Sequence, residues 1–158
     1  MVATNSDYTG SEIAAIIGWR YVRNNQDRWH TSQIAEEFDL HRGTVRGIFS
    51  KLRDVIAIES RKVSREAQNG YLQPMREYVL SGDPIPANGK PLSTQAGAFV
   101  IACHLARWRW CENSTLADLA RWNRKRTAQV VLYRMSLLPL ARYSRSGANA
   151  DILWVVMN

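Results

Sequence analysis

Residues 34–52 read IAEEFDLHRGTVRGIFSKL, and how this stretch divides decides what the rest of the chain is. Thr31 and Ser32, just ahead of it, suit a helix N-cap, because a hydroxyl oxygen can accept an N–H left over in the first turn. Glu36 and Glu37 favour the early turns near the positive end of a helix. SQIAEEF is therefore expected to be helical. Asp39-Leu40 then makes a short turn, since aspartate tolerates unusual backbone angles. A further helix is expected over HRGTVRGIFSKL, near residues 41–52.

Upstream, Ile13, Ile17 and Tyr21 recur at i, i+4 and i+8 with Ile16 alongside. That is a helical period, beginning at Tyr8 and ending around Asn24-Asn25-Gln26-Asp27. Downstream, Val55, Ile56 and Ile58 read as a short strand, and Asn69-Gly70 as a turn. YLQPMREYVL (71–80) suits either a returning strand or a short helix. SGDPIPANGKPLS (81–93), with three prolines and two glycines, reads as a linker.

From Thr94 the order starts again. TQAGAFVIACHLARWRW (94–110) is apolar nearly all round, as a buried helix would be. Ser114 or Thr115 caps a second helix, TLADLARW, and a third follows Asn123 through KRTAQVVLYRMSLL. Residues 138–143 and 152–156 are strand-like runs around a Ser-Gly-Ala-Asn turn. Helix, helix, helix, hairpin thus occurs twice, although the residues of the two passes barely match.

Of the 158 residues, 46% are hydrophobic and 22% charged, a globular rather than a disordered balance. No run reaches the roughly 18 apolar residues of a membrane span, and the N-terminus lacks the pattern of a secretory signal. A cytoplasmic location follows as the expectation. Cys103 and Cys111 fit neither a disulfide framework nor a zinc spacing, so buried free thiols are expected. The net charge of +7 points to a polyanionic partner. Residues 1–80 carry 11 Lys/Arg against 10 Asp/Glu, whereas residues 81–158 carry 10 against 4. The basic character therefore lies in the second half. Seventeen of the 21 cations are arginine, the better shape for bidentate contacts to phosphate and guanine.

The stretch 34–52 resembles the helix-turn-helix core of bacterial transcription regulators. With the hairpins added, the chain resembles a tandem winged helix-turn-helix protein of bacterial, phage or plasmid type. The resemblance implies an α+β fold, mainly α with short β-hairpins, with one unit at 8–80, the linker at 81–93 and a second, basic unit at 94–158. In such a core Ala35 is small where two helices cross, and Ile34, Phe38 and Leu40 fill the space beneath the turn. Val45, Ile48 and Leu52 anchor the second helix of the motif. Asp39 stands where the family usually has glycine.

With Val45 and Ile48 inward, His41, Arg42, Gly43, Thr44, Arg46, Gly47 and Ser50 face outward. The resemblance lays this helix in the DNA major groove, with Arg42 and Arg46 on guanine or phosphate. Gly43 and Gly47 cost about 1 kcal/mol each in a helix interior, so something must approach the backbone closely there, either DNA or a neighbouring helix. In the second unit the turn reads as shortened. Arg124, Lys125 and Arg126 stand at the start of the basic helix, Thr127 and Gln129 are candidates to read bases, and Arg134 to hold the backbone. The hairpin RYSRSGANAD would be the wing, with Arg142 and Arg145 in a minor groove or on phosphate.

Six tryptophans raise a stacking hypothesis of the kind single-strand binders use. Trp19 and Trp108 in helices and Trp154 in an apolar strand read as core, which leaves Trp110 and Trp122 open. No catalytic motif, metal-ligand spacing or cofactor fingerprint occurs, so no enzyme, metal or cofactor is expected. The leading function is a sequence-specific, double-stranded DNA-binding transcription regulator, from a phage or mobile element. The alternatives are a plasmid or phage replication or partition initiator, and a winged-helix protein-interaction module. A homodimer or protein contact through the near-neutral first unit stays open.

Overall fold

The computed structural model describes residues 8–66, 70–85, 89–145 and 151–157. Helix α1 (Gly10–Arg23) is followed by strand β1 (Arg28–His30), helices α2 (Thr31–Phe38) and α3 (Arg42–Leu52), and strands β2 (Ala57–Glu66) and β3 (Leu72–Ser81). The second half gives α4 (Thr94–Arg107), β4 (Trp110–Glu112), α5 (Asn113–Ala120), α6 (Arg124–Arg134), β5 (Leu140–Ser144) and β6 (Ile152–Val156). The fold is α+β, with two three-stranded antiparallel sheets in the orders β1-β3-β2 and β4-β6-β5 among the described residues. Corresponding helices have equal lengths, 14, 8 and 11 residues, in the two halves. No helix of the described residues is long and apolar enough to cross a membrane.

Several local expectations change. The short strands β1 and β4 carry no periodicity that three residues could display; they exist because β3 and β6 pair with them. Residues 72–81 form a strand. Val55 and Ile56 precede β2 as buried core residues. Thr31 and Ser32 are not caps but the first turn of α2, where the Thr31 hydroxyl donates to the Arg76 carbonyl at 3.0 Å. Ser114 and Thr115 likewise sit inside α5, and the Ser114 N–H is satisfied by the distant Asp151 carboxylate at 3.0 Å. Helix α4 stops at Arg107, so Trp108 lies beyond it. Asn69 and the Ser-Gly-Ala-Asn turn lie outside the described residues.

The turns between α2 and α3 and between α5 and α6 match closely. Asp39 (φ 53°) and Arg121 (φ 56°) are both left-handed. The next residue in each, Leu40 or Trp122, donates its N–H to the carbonyl five back, that of Ala35 at 2.9 Å or Ala117 at 3.0 Å. The second turn is therefore not shortened. It looked so because an arginine, a costly left-handed residue, holds the place where Asp39 signalled the bend.

The halves meet through α1 and α4, with α3 and α6 each resting on both. Close approach depends on small residues: a Cβ on Gly18 would lie 2.7 Å from the Phe99 carbonyl oxygen. The core follows this crossing rather than the chain. Ala96, Phe99, Val100 and Cys103 of α4 pack with Ile13, Ile17, Phe49 and Leu52, while Ala15 of α1 packs with Ile101, Leu105 and Trp154. Helix α4 is buried on nearly every side, as its composition requires. Both cysteines are free and buried; burial pushes the Cys111 thiol up to about 11.

Candidate nucleic-acid interface

Helix α3 is anchored by Val45, Ile48, Phe49 and Leu52, all buried. With 3.6 residues per turn, this leaves His41, Arg42, Gly43, Thr44, Arg46, Gly47 and Ser50 exposed along the other face. Gly43 and Gly47 have open space where a side chain would stand, with nothing within 4 Å. No neighbouring helix of the described residues explains them, so of the two sequence-level readings the packing one falls.

The hairpin β2–β3 is fixed against this helix by Tyr78, whose ring stacks on Phe49 with centroids 4.2 Å apart and planes within 8°. Strand side chains alternate faces, so the residues two along from Tyr78 and from its partner Ser60 share its face. These are Arg76 and Lys62, which lie directly opposite each other in the ladder. Two like charges so placed destabilise a sheet. Together with Arg42, Arg46, Thr31 and Pro74 they line a concavity of about 230 Å³, whose lining contains no carboxylate. Arg76 is steadied by a 3.2 Å bond to the Ser60 hydroxyl.

Two of the acidic residues that make this half nearly neutral are paired away from the concavity. Glu77, on the opposite face of β3, is buried and bonded to Arg61 at 2.6 Å and His30 at 2.8 Å, with Arg28 at 3.6 Å. The Arg61 hydrogen bond, with that of His30, holds its carboxyl below the ordinary range against the opposing effect of burial. Glu37 pairs with Arg20 at 2.7 Å. Lys62 and Arg76 were not among the residues expected from sequence. Alternation through SRKVSRE and MREYVL carried the signal, but only with the register that sets one run against the other.

The second half distributes its cations differently. Arg124, Lys125, Gln129 and Arg134 are exposed on α6, and Arg142 on β5. Arg126 is half-buried: its guanidinium lies 4.4 Å over the Trp122 ring and bonds the Thr94 hydroxyl at 3.2 Å. Thr127 does not face outward as expected. It is fully buried, with its hydroxyl donating to the Asn123 carbonyl, because it occupies the place on α6 that Val45 holds on α3. Arg145 pairs with Glu112 at 2.6 Å. By register, the positions of Lys62 and Arg76 are taken here by Ser144 and Ile152. The shorter hairpin thus has no matching pair of cations.

Trp122 is buried rather than open, its indole N–H donating to the Leu92 carbonyl at 2.9 Å. Trp108 is exposed, against its reading as core, and so is Trp110. No family model matches this chain, and no curated protein or solved structure matches it either.

Proposed function

We propose that this chain is a double-stranded DNA-binding protein of tandem winged helix-turn-helix build, acting as a sequence-specific transcription regulator. The observation that carries the reading is the concavity between α3 and the β2–β3 hairpin, where Arg42, Arg46, Lys62 and Arg76 meet without a counter-charge in its lining. An arrangement that sets like charges opposite each other is stabilised by an anion that spans them. A phosphate backbone supplies anions at regular spacing. The bare backbone at Gly43 and Gly47 lets a groove wall come close to α3, and Arg42 and Arg46 sit where a helix in the major groove presents side chains to base edges. Lys62 and Arg76 then serve as the wing's phosphate contacts. Arg124 and Lys125 at the start of α6 provide a second contact region.

The test is a titration of duplex DNA at several salt concentrations with three double variants. Arg42→Ala/Arg46→Ala weakens binding and flattens any base preference recovered by selection from a random duplex library. Lys62→Ala/Arg76→Ala weakens binding uniformly across sequences and lowers the salt slope by up to about two, near 0.9 for each phosphate no longer neutralised. Arg124→Ala/Lys125→Ala has the smaller effect. Absence of duplex binding by the wild type at low salt overturns the reading. Binding without any recovered sequence preference overturns the regulator in favour of a non-specific DNA binder.

A further inference from the structure

Of the six tryptophans, the core and the α3 concavity leave two without a role. Trp29, Trp122 and Trp154 are buried, and Trp19 lies under the Arg23 guanidinium at 4.9 Å. Trp108 and Trp110, by contrast, are 56% and 62% exposed. Exposing two indoles forgoes the burial that makes tryptophan a dominant contributor to a core, and contiguous exposed apolar area is a mark of binding surfaces.

The backbone puts the two rings to one use. After α4 ends, Trp108 is extended (φ −108°, ψ 127°), and Trp110 opens β4, an edge strand of its sheet. Both indoles line one hollow of about 710 Å³, together with Arg107, Arg109, Glu112 and Thr115. The Trp108 ring lies beside the His104 imidazole, with centroids 6.4 Å apart. The fold does not require this arrangement. At the same join in the first half, between α1 and β1, residues 24–27 are polar, and Trp29 turns inward with its indole N–H donating to the Gln26 carbonyl at 2.9 Å.

Charge selects the occupant. Arg107 is held by Asp83 at 2.7 Å, and Glu112 by Arg145, so the carboxylate in the hollow is already neutralised. Arg109, between the two tryptophans in sequence and in the lining of the same hollow, has no ion-pair partner among the described residues. A second copy of this chain would bring arginine against arginine on a molecule of net charge +7. An anionic polymer whose units carry flat π faces meets both features. We propose that Trp108 and Trp110 form a stacking platform for the bases of a single-stranded nucleic acid, with Arg109 on its phosphates. The platform lies on the α4–β4 join, apart from α3 and the β2–β3 hairpin, and it does not depend on the duplex reading.

The experiment titrates short oligo(dT) into the full chain, following binding by anisotropy of the labelled oligonucleotide, alongside a blunt duplex. Trp108→Ala/Trp110→Ala weakens oligo(dT) binding by about 10- to 100-fold, the range expected when one or two bases no longer stack, and leaves duplex binding unchanged. Trp108→Phe/Trp110→Phe, which keeps a π face, stays within a few-fold of wild type. Arg109→Glu leaves both indoles in place and flattens the salt dependence of oligo(dT) binding. Arg42→Ala/Arg46→Ala weakens duplex binding and spares oligo(dT), which separates this proposal from the duplex one. Wild-type protein that ignores oligo(dT) at low salt overturns it, and so do alanine variants that bind it as tightly. Self-association of the wild type in sedimentation that the alanine variant loses also overturns it, in favour of a contact between copies.

Discussion

At the residue scale, the glycines separate packing from surface function. A Cβ on Gly97 would stand 2.2 Å from the Trp122 ring, and that ring is pinned by its bond to Leu92. Gly97→Ala therefore forces a shift in a filled core, at a cost of about 1–3 kcal/mol. Gly43 and Gly47 meet nothing. Gly43→Ala/Gly47→Ala stabilises α3 by about 0.5–1 kcal/mol per site, raising Tm by a few degrees for a chain of this size. The same double variant weakens duplex binding, since it fills the space left for a groove wall. Thermal melts and the duplex titration check the two halves of the prediction; a variant both more stable and equally tight in binding leaves the glycines without a DNA role. The sequence showed that these glycines were expensive. Where the space lay, towards a helix or towards solvent, depended on neighbours that only the fold supplies.

At the element scale, β3 is the strand that sorts the charges of the first half onto two faces. On one face Glu77 gathers cations from both of its neighbours, Arg28 and His30 of β1 and Arg61 of β2. On the other, Arg76 faces Lys62 across the ladder. A carboxyl whose folded pKa is depressed contributes its full stabilisation above the unfolded value and loses it as the pH falls through the folded one. Glu77→Gln accordingly lowers Tm at pH 7, and the gap to wild type closes as the pH is taken below the ordinary 4.5. Melts across pH 7 to 3 measure it; a gap that does not change with pH assigns Glu77 a packing role alone. Residues 71–80 did not show from their own pattern whether they were strand or helix, because Pro74 and Glu77 interrupt the alternation. Pairing with β1 and β2 decided it.

At the scale of the whole molecule, the two halves share a core although the chain joins them by a segment that reads as a linker. Ile85 and Leu92, within it, donate N–H bonds to the Val55 and Ala120 carbonyls at 2.7 and 3.0 Å. Helix α1 closes the second half's core through Ala15, and α4 closes the first half's through Phe99 and Cys103. The full chain is therefore expected to unfold in one cooperative transition. A fragment ending at Ile85 or one beginning at Ser93 exposes the crossing faces of α1 or α4, and neither fragment alone gives a cooperative melt or native near-ultraviolet dichroism. Mixing the two restores both signals. Two separate transitions in the intact chain would show independent units instead.

Local sequence was enough for the succession of helices, the α3 face carrying Arg42 and Arg46, the left-handed turn at Asp39 and the repeated order of elements. These rest on periodicity and on turn chemistry, which neighbours along the chain carry. Charge was the misleading signal. The second half holds the surplus of cations, yet the cluster without a counter-charge in its lining formed in the nearly neutral first half. Tertiary pairing settled that, because strand register put Lys62 beside Arg76 and turned Glu77 away from them. The same holds for Thr127, Arg126 and the tryptophans. A net charge sums over a sequence, whereas an electrostatic site depends on which charges lie within a few ångströms of each other, and long-range pairing sets those distances.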